Sequence, residues 1–122
     1  DDGASGDLAA ALLGQPGEDG SLTRLFEALD QERDEEMLKA VFMALGRHAS
    51  RPAVERLARA ARGIDPRTPR SVEVRIAAVE ALGEAGTPES IAALRSLLHD
   101  PEERVRGAAL WVVTDPRSPS RP

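Results

Sequence analysis

The stretch "VRIAAVEALGEAGTPESIAALRSLLHD", Val74 to Asp100, decides the architecture, because its apolar residues recur every three or four positions in two runs separated by a turn. Val74, Ala77, Ala78, Ala81 and Leu82 make the first run. "GEAGTP", Gly83 to Pro88, interrupts it, and Ile91, Leu94, Leu97 and Leu98 make the second. Thr87 is a good N-cap, and Pro88 follows at the first helical position, where a missing N–H costs nothing. The pattern predicts a helical hairpin. No window of the chain alternates with a period of two, so the fold class expected is all-α.

The hairpin is written more than once. Shifted by 31 residues, "VEVRIAAVEAL" from Val72 meets "ERVRGAALWVV" from Glu103, so that Val74 falls on Val105, Arg75 on Arg106, Ala77 on Ala108 and Leu82 on Val113. Shifted by 37, Ala44-Leu45-Gly46 falls on Ala81-Leu82-Gly83 and Leu57 on Leu94. Shifted by 32, Leu13-Gly14 falls on Leu45-Gly46 and Leu25 on Leu57. The extra length between the second and third units is "GIDPRTPR", Gly63 to Arg70, a loop with turn chemistry. Periods in this range mark a solenoid. Ala40, Ala44, Ala77, Ala81 and Ala108 are expected on the inward face of the first helices, and Gly46 and Gly83 are expected to serve as left-handed C-caps. A single domain is predicted over 7–115, with units at about 7–31, 32–64, 70–100 and 101–115; segments 1–6 and 116–122 are predicted to be disordered. Neither helix of a unit hides its apolar stripe alone, so each unit depends on the next.

The segments "DPEERVRGAAL", "VEVRIAAVEALGEAGTPESIAALRSLLHD" and "MLKAVFMALG" resemble HEAT-like repeats, in particular the short bacterial kind also found in phycobilin lyases. That pattern runs Asp-Pro, Val-Arg, two alanines, Ala-Leu-Gly, then a second helix ending in Leu-Leu-x-Asp. The resemblance implies a right-handed α-α superhelix of about three and a half hairpins. It also implies an Asp–Arg ladder along the stack, in which Asp100 and Arg106 fit and Arg75 takes Asp65 as its expected partner across the insertion. Leu38 and Lys39 depart from the pattern, standing where Val-Arg belongs. Such repeats occur in scaffolds, regulatory subunits, lyases and a few DNA-repair enzymes, so the fold alone does not name a function.

Composition narrows the classes. With 41% hydrophobic and 30% charged residues the chain belongs to the soluble globular range, and no apolar run approaches the roughly 20 residues a membrane span needs. A net charge of −5 and only three aromatics, Phe26, Phe42 and Trp111, argue against nucleic acid as a partner. There is no cysteine, hence no disulfide framework and no thiolate chemistry. Fifteen arginines against one lysine, with twenty alanines, fit the usage of a GC-rich bacterial genome. The chain begins at Asp1 without a leader-like segment, which fits either an excised domain or a mature exported chain, so cytoplasmic and exported locations both stay open.

Second helices of such units line the side of a solenoid that commonly receives ligands. Their expected outward positions are Arg24, Glu27 and Asp30, then Arg56, Arg59 and Arg62, then Ala93, Ser96 and His99. Arg56, Arg59 and Arg62, three residues apart, are expected to form a basic stripe with Arg24 beside it, suited to a protein or acidic peptide because arginine forks bind carboxylates bidentately. The competing reading is a solvated face paired locally with Glu27 and Glu55. "DQERDEEM", Asp30 to Met37, complements a helix N-terminus and lacks calcium-loop spacing, and His48 and His99 suit helix C-termini. Trp111 takes the outward place of Glu80 one unit earlier, on a helix without a following partner. It either caps the solenoid, docks on a second copy, or meets further repeats. No Ser–His–Asp arrangement, P-loop, zinc spacing or dinucleotide turn is present, so a non-enzymatic interaction module without cofactor or metal is expected. The alternatives are a HEAT-like enzyme of bilin-lyase or DNA-glycosylase type, or a nucleic-acid-binding module through the arginines.

Overall fold

The computed structural model describes residues 19–115. The expectations for 1–18 and 116–122, a first helix and two disordered ends, lie outside them. Among the described residues there are six helices and no strand: α1 (Asp19–Gln31), α2 (Glu35–His48), α3 (Arg51–Arg62), α4 (Val72–Ala85), α5 (Pro88–Leu97) and α6 (Glu103–Thr114). The described residues thus form an all-α stack of helical hairpins, α2 with α3 and α4 with α5, with α1 in the place of a second helix before them and α6 in the place of a first helix after them.

Local chemistry sets the helix starts. Asp34, Ser50 and Ser71 cap α2, α3 and α4 by accepting the backbone N–H groups of Met37, Ala53 and Val74. Thr87 and Ser90 form a reciprocal capping box ahead of α5, with Pro88 at its first position. The acidic cap of α6 is Glu102, which accepts from Arg104 N–H, while Asp100 accepts from Glu102 N–H at 2.8 Å. Left-handed residues end three helices: Ala49 at φ 57°, Gly63 at 74° and Gly86 at 64°.

Gly46 and Gly83 are therefore not caps. Both are buried inside helices, in the layer where α2 packs on α4 and α4 on α6. A methyl at Gly46 would overlap the backbone carbonyl of Ala81, and one at Gly83 would stand 2.5 Å from Val112 Cγ1. These glycines let first helices of successive units approach closely. The other layer places α3 against α5, and α3 also packs on α4, so each second helix is clamped by its own unit and the next. The core runs continuously between the layers through Leu25, Leu38, Phe42, Leu57, Leu82, Leu94 and Val105. Of the alanines expected inside, Ala44, Ala77 and Ala81 are buried and Ala108 is partly buried, but Ala40 is exposed. Ala40 lies one position before Val41, which takes the inward place.

Replacing Gly46 with alanine should destabilise the protein by about 1–3 kcal/mol, because the overlap is with backbone and outweighs the better helix propensity. Gly107, with nothing within 4 Å of an added Cβ, gives the opposite sign: Gly107→Ala should stabilise by up to about 1 kcal/mol. Urea denaturation of both variants measures the pair.

Candidate functional site

Charged residues buried between the units organise the surface around them. Arg56 on α3 is only 6% exposed. Its Nε donates to Asp65 Oδ2 at 2.6 Å, its Nη2 donates to Asp30 Oδ1 at 2.5 Å, and its guanidinium lies 5.7 Å from the centre of the Phe26 ring. Arg67 of the insertion reaches Asp30 as well, at 3.2 Å. Asp65 accepts the Arg67 N–H and turns the loop, so the insertion is folded around one buried carboxylate. Arg75 on α4 donates Nε to the Ala61 carbonyl at 2.8 Å and Nη2 to Asp100. Arg106 on α6 donates Nη1 to the carbonyls of Asp100 and Pro101 at 2.7 and 3.1 Å.

This arrangement corrects two expectations. Arg75 pairs with Asp100, whereas Asp65 pairs with Arg56. The basic stripe also loses its first member, since Arg56 points inward. Steps of three residues on a helix turn back by about 60° each, so three such residues span about 120° and cannot all share one outward line. Arg56 falls on the side of buried Ala53, Leu57 and Ala60, where it serves the carboxylates of Asp65 and Asp30.

Burial alone would raise the Asp65 pKa, but the hydrogen bonds from Arg56 and Arg67 N–H, with the charges of Arg56 and Arg59, hold it below the ordinary carboxylate value. Burial would likewise lower Arg56, and the bonds and charges of Asp65 and Asp30 outweigh it and raise its pKa. A depressed carboxylate adds stability that is complete above its unfolded pKa of about 3.9 and is lost as pH falls through the lower folded value. Arg56→Met should therefore cost about 3–5 kcal/mol at neutral pH, by stranding buried Asp65. The gap from the native protein should narrow below about pH 4 as the aspartates protonate in both. Arg56→Lys should fall between the two. Denaturant titrations across that pH range supply the check.

The remaining candidates lie outside the stack. Arg59 and Arg62 are exposed on α3 and have no ion pair among the described residues, whereas Arg51 on the same helix is tied to Glu55 at 3.3 Å. On α5, beside α3, Ala93 is buried and the exposed cation is Arg95, a residue that outward positions counted in steps of three, 93, 96 and 99, pass over. Ser96 and His99 are exposed there too. Arg24 is exposed on α1, and Trp111 is 66% exposed on α6, in the other layer from Arg59 and Arg62. His48 closes α2 with both ring nitrogens buried and without hydrogen-bond partners. Among the described residues, no three His, Asp or Glu side chains converge as a group to hold a metal ion, and no helix is long and apolar enough to cross a membrane.

Comparisons with known proteins agree with this geometry. The family model for HEAT repeats matches residues 67–120. No curated protein sequence matches. Among solved structures, the chain is similar to human deoxyhypusine hydroxylase in complex with glycerol, with a TM-score of 0.62 and 27% identity over 88% of this chain and 41% of that one. The chain thus spans less than half the length of that enzyme. The likeness corrects the expectation of a chain that is not an enzyme: the same stack of hairpins forms part of a hydroxylase, so the fold does not set the chain apart from enzymes. Residues 67–120 thus match HEAT repeats, and the described residues fold as an all-α stack of helical hairpins similar to a HEAT-repeat solenoid.

Proposed function

We propose that this HEAT stack is a docking scaffold that takes an acidic protein segment on its second-helix layer, at Arg59 and Arg62 of α3 and Arg95 of α5. The observation that carries the reading is the division of labour on α3. Arg51 and Arg56 are consumed by Glu55, Asp30 and Asp65, while Arg59 and Arg62 are exposed and carry no ion pair among the described residues. Held on a rigid helix, their guanidinium groups present forked donors to carboxylates without first breaking an internal pair. Repeat solenoids use such extended helical layers as binding surfaces. The surrounding net charge of −5 confines attraction to this patch and disfavours polyanions such as nucleic acid.

A fluorescein-labelled peptide of alternating Asp and Glu should bind with an affinity that falls as salt is raised. Arg59→Glu/Arg62→Glu should weaken it about tenfold or more, with circular dichroism unchanged because both side chains are exposed. Equal anisotropy titrations for the native and doubly reversed proteins would remove the proposal.

A second reading draws on the human hydroxylase: the stack serves as one arm of an enzyme that acts on deoxyhypusine. Its support is the 27% identity carried over 88% of this chain. Purified chain, incubated in air with a deoxyhypusine-bearing protein, a panel of divalent transition metals and a reductant such as ascorbate, whose two electrons send the second oxygen atom to water, should then add one oxygen atom, detected by intact-mass spectrometry. An unchanged mass under every condition counts against it.

A further inference from the structure

The last helix keeps some features of its predecessors and abandons others. Leu110 is 54% exposed, although its counterparts one and two units earlier, Val79 and Phe42, are fully buried. Val113 is partly buried where Leu82 and Leu45 are fully covered. Trp111, at 66% exposure, adds apolar surface where α4 carries the charged Glu80. Arg106 sits at the Arg75 position and, like Arg75, grips backbone carbonyls of the preceding unit. Arg75 spends its other terminal nitrogen on Asp100, the carboxylate that follows α5. Nε and Nη2 of Arg106 have no such partner among the described residues.

Thr114 stands where Gly46 and Gly83 stand in the earlier first helices, with its hydroxyl donating to the Leu110 carbonyl at 2.8 Å. A side chain here bars the close approach by which α2 receives α4 and α4 receives α6. Another first helix, packed in the same way, is not the occupant of this face. We infer that the Arg106, Leu110 and Val113 face of α6 docks an amphipathic helix ending in an aspartate, the kind of segment that α5 and Asp100 present to α4. The apolar stripe of that helix covers Leu110 and Val113, and its terminal carboxylate takes the vacant donors of Arg106, while Trp111 lies outside the stripe as Glu80 does on α4. This site is separate from the Arg59 and Arg62 surface and does not depend on it.

The chain's own α5 supplies the probe. A peptide of Pro88–Asp100, amidated, fluorescein-labelled and stapled between positions 92 and 96, both exposed in α5, enters as a preformed helix and avoids most of the ordering cost. Added to the full chain, it should give saturable anisotropy. Asp100→Asn in the peptide alone should weaken binding about tenfold, a change that leaves the protein untouched. Leu110→Asp in the protein should reduce it at least as much, and as an exposed position it should leave the fold intact. Absence of saturable binding overturns the inference, as does binding indifferent to both substitutions. So does sedimentation showing a dimer that Trp111→Glu dissolves and that excludes the peptide, since the occupant is then a second copy of the chain.

Discussion

The close approach of successive first helices at Gly46 and Gly83 is the constraint on which the rest depends. With no side chain at these positions, α2 lies against the backbone of α4, and α4 against Val112 of α6. That spacing fixes where each second helix can sit, since α3 must fill the groove that α2 and α4 leave between them. Close packing makes such a groove intolerant of volume change. The core is therefore not a property of any hairpin; it exists only between hairpins, and a unit removed from the stack would expose both of its apolar stripes.

Polar groups trapped by this packing have to be satisfied within it. One carboxylate closes each unit, Asp30, Asp65 and Asp100, and each meets an arginine or a backbone donor from a neighbouring element. The arginine need not come from a fixed place. At Asp100 it comes from a first helix, as Arg75; at Asp30 and Asp65 it comes from a second helix, as Arg56. The requirement is physical, a buried negative charge needing a hydrogen-bonded counter-charge, and two different positions meet it.

That substitution explains which parts of the molecule were legible in the sequence. Helix type, hairpin order and caps at Ser50 and Thr87 follow from local spacing and local hydrogen bonds, which a linear pattern contains. Pairing across units does not. Whether Arg56 faces solvent or Asp65 is settled by about 60° of helix rotation and by the absence of an arginine at Leu38-Lys39, seventeen to eighteen residues away in sequence. Gly46 and Gly83 show the same limit: "Ala-Leu-Gly" reads equally as a helix end and as a helix contact, and only the neighbour's position decides. Arg95 escapes a count in steps of three from 93 to 96 to 99, which passes over it and takes in the buried Ala93.

The corrected stripe has a consequence for where partners can act. Because Arg56 is locked by Asp30 and Asp65, the charge it would have placed on the surface is neutralised inside, and Arg59 and Arg62 gain a rigid mount. Stability and presentation thus use different residues of one helix, separated by a single turn. On α6 the division runs the other way: Val105, Ala109 and Val112 still obey the repeat, while Gly107, Leu110, Trp111 and Thr114 depart from it on the outer side. Departures confined to a face that bears no internal packing are what a sequence shows where something other than the stack sets the residue. An exposed leucine beside a half-used arginine is poorly suited to water and well suited to an apolar helix with a carboxylate at its end.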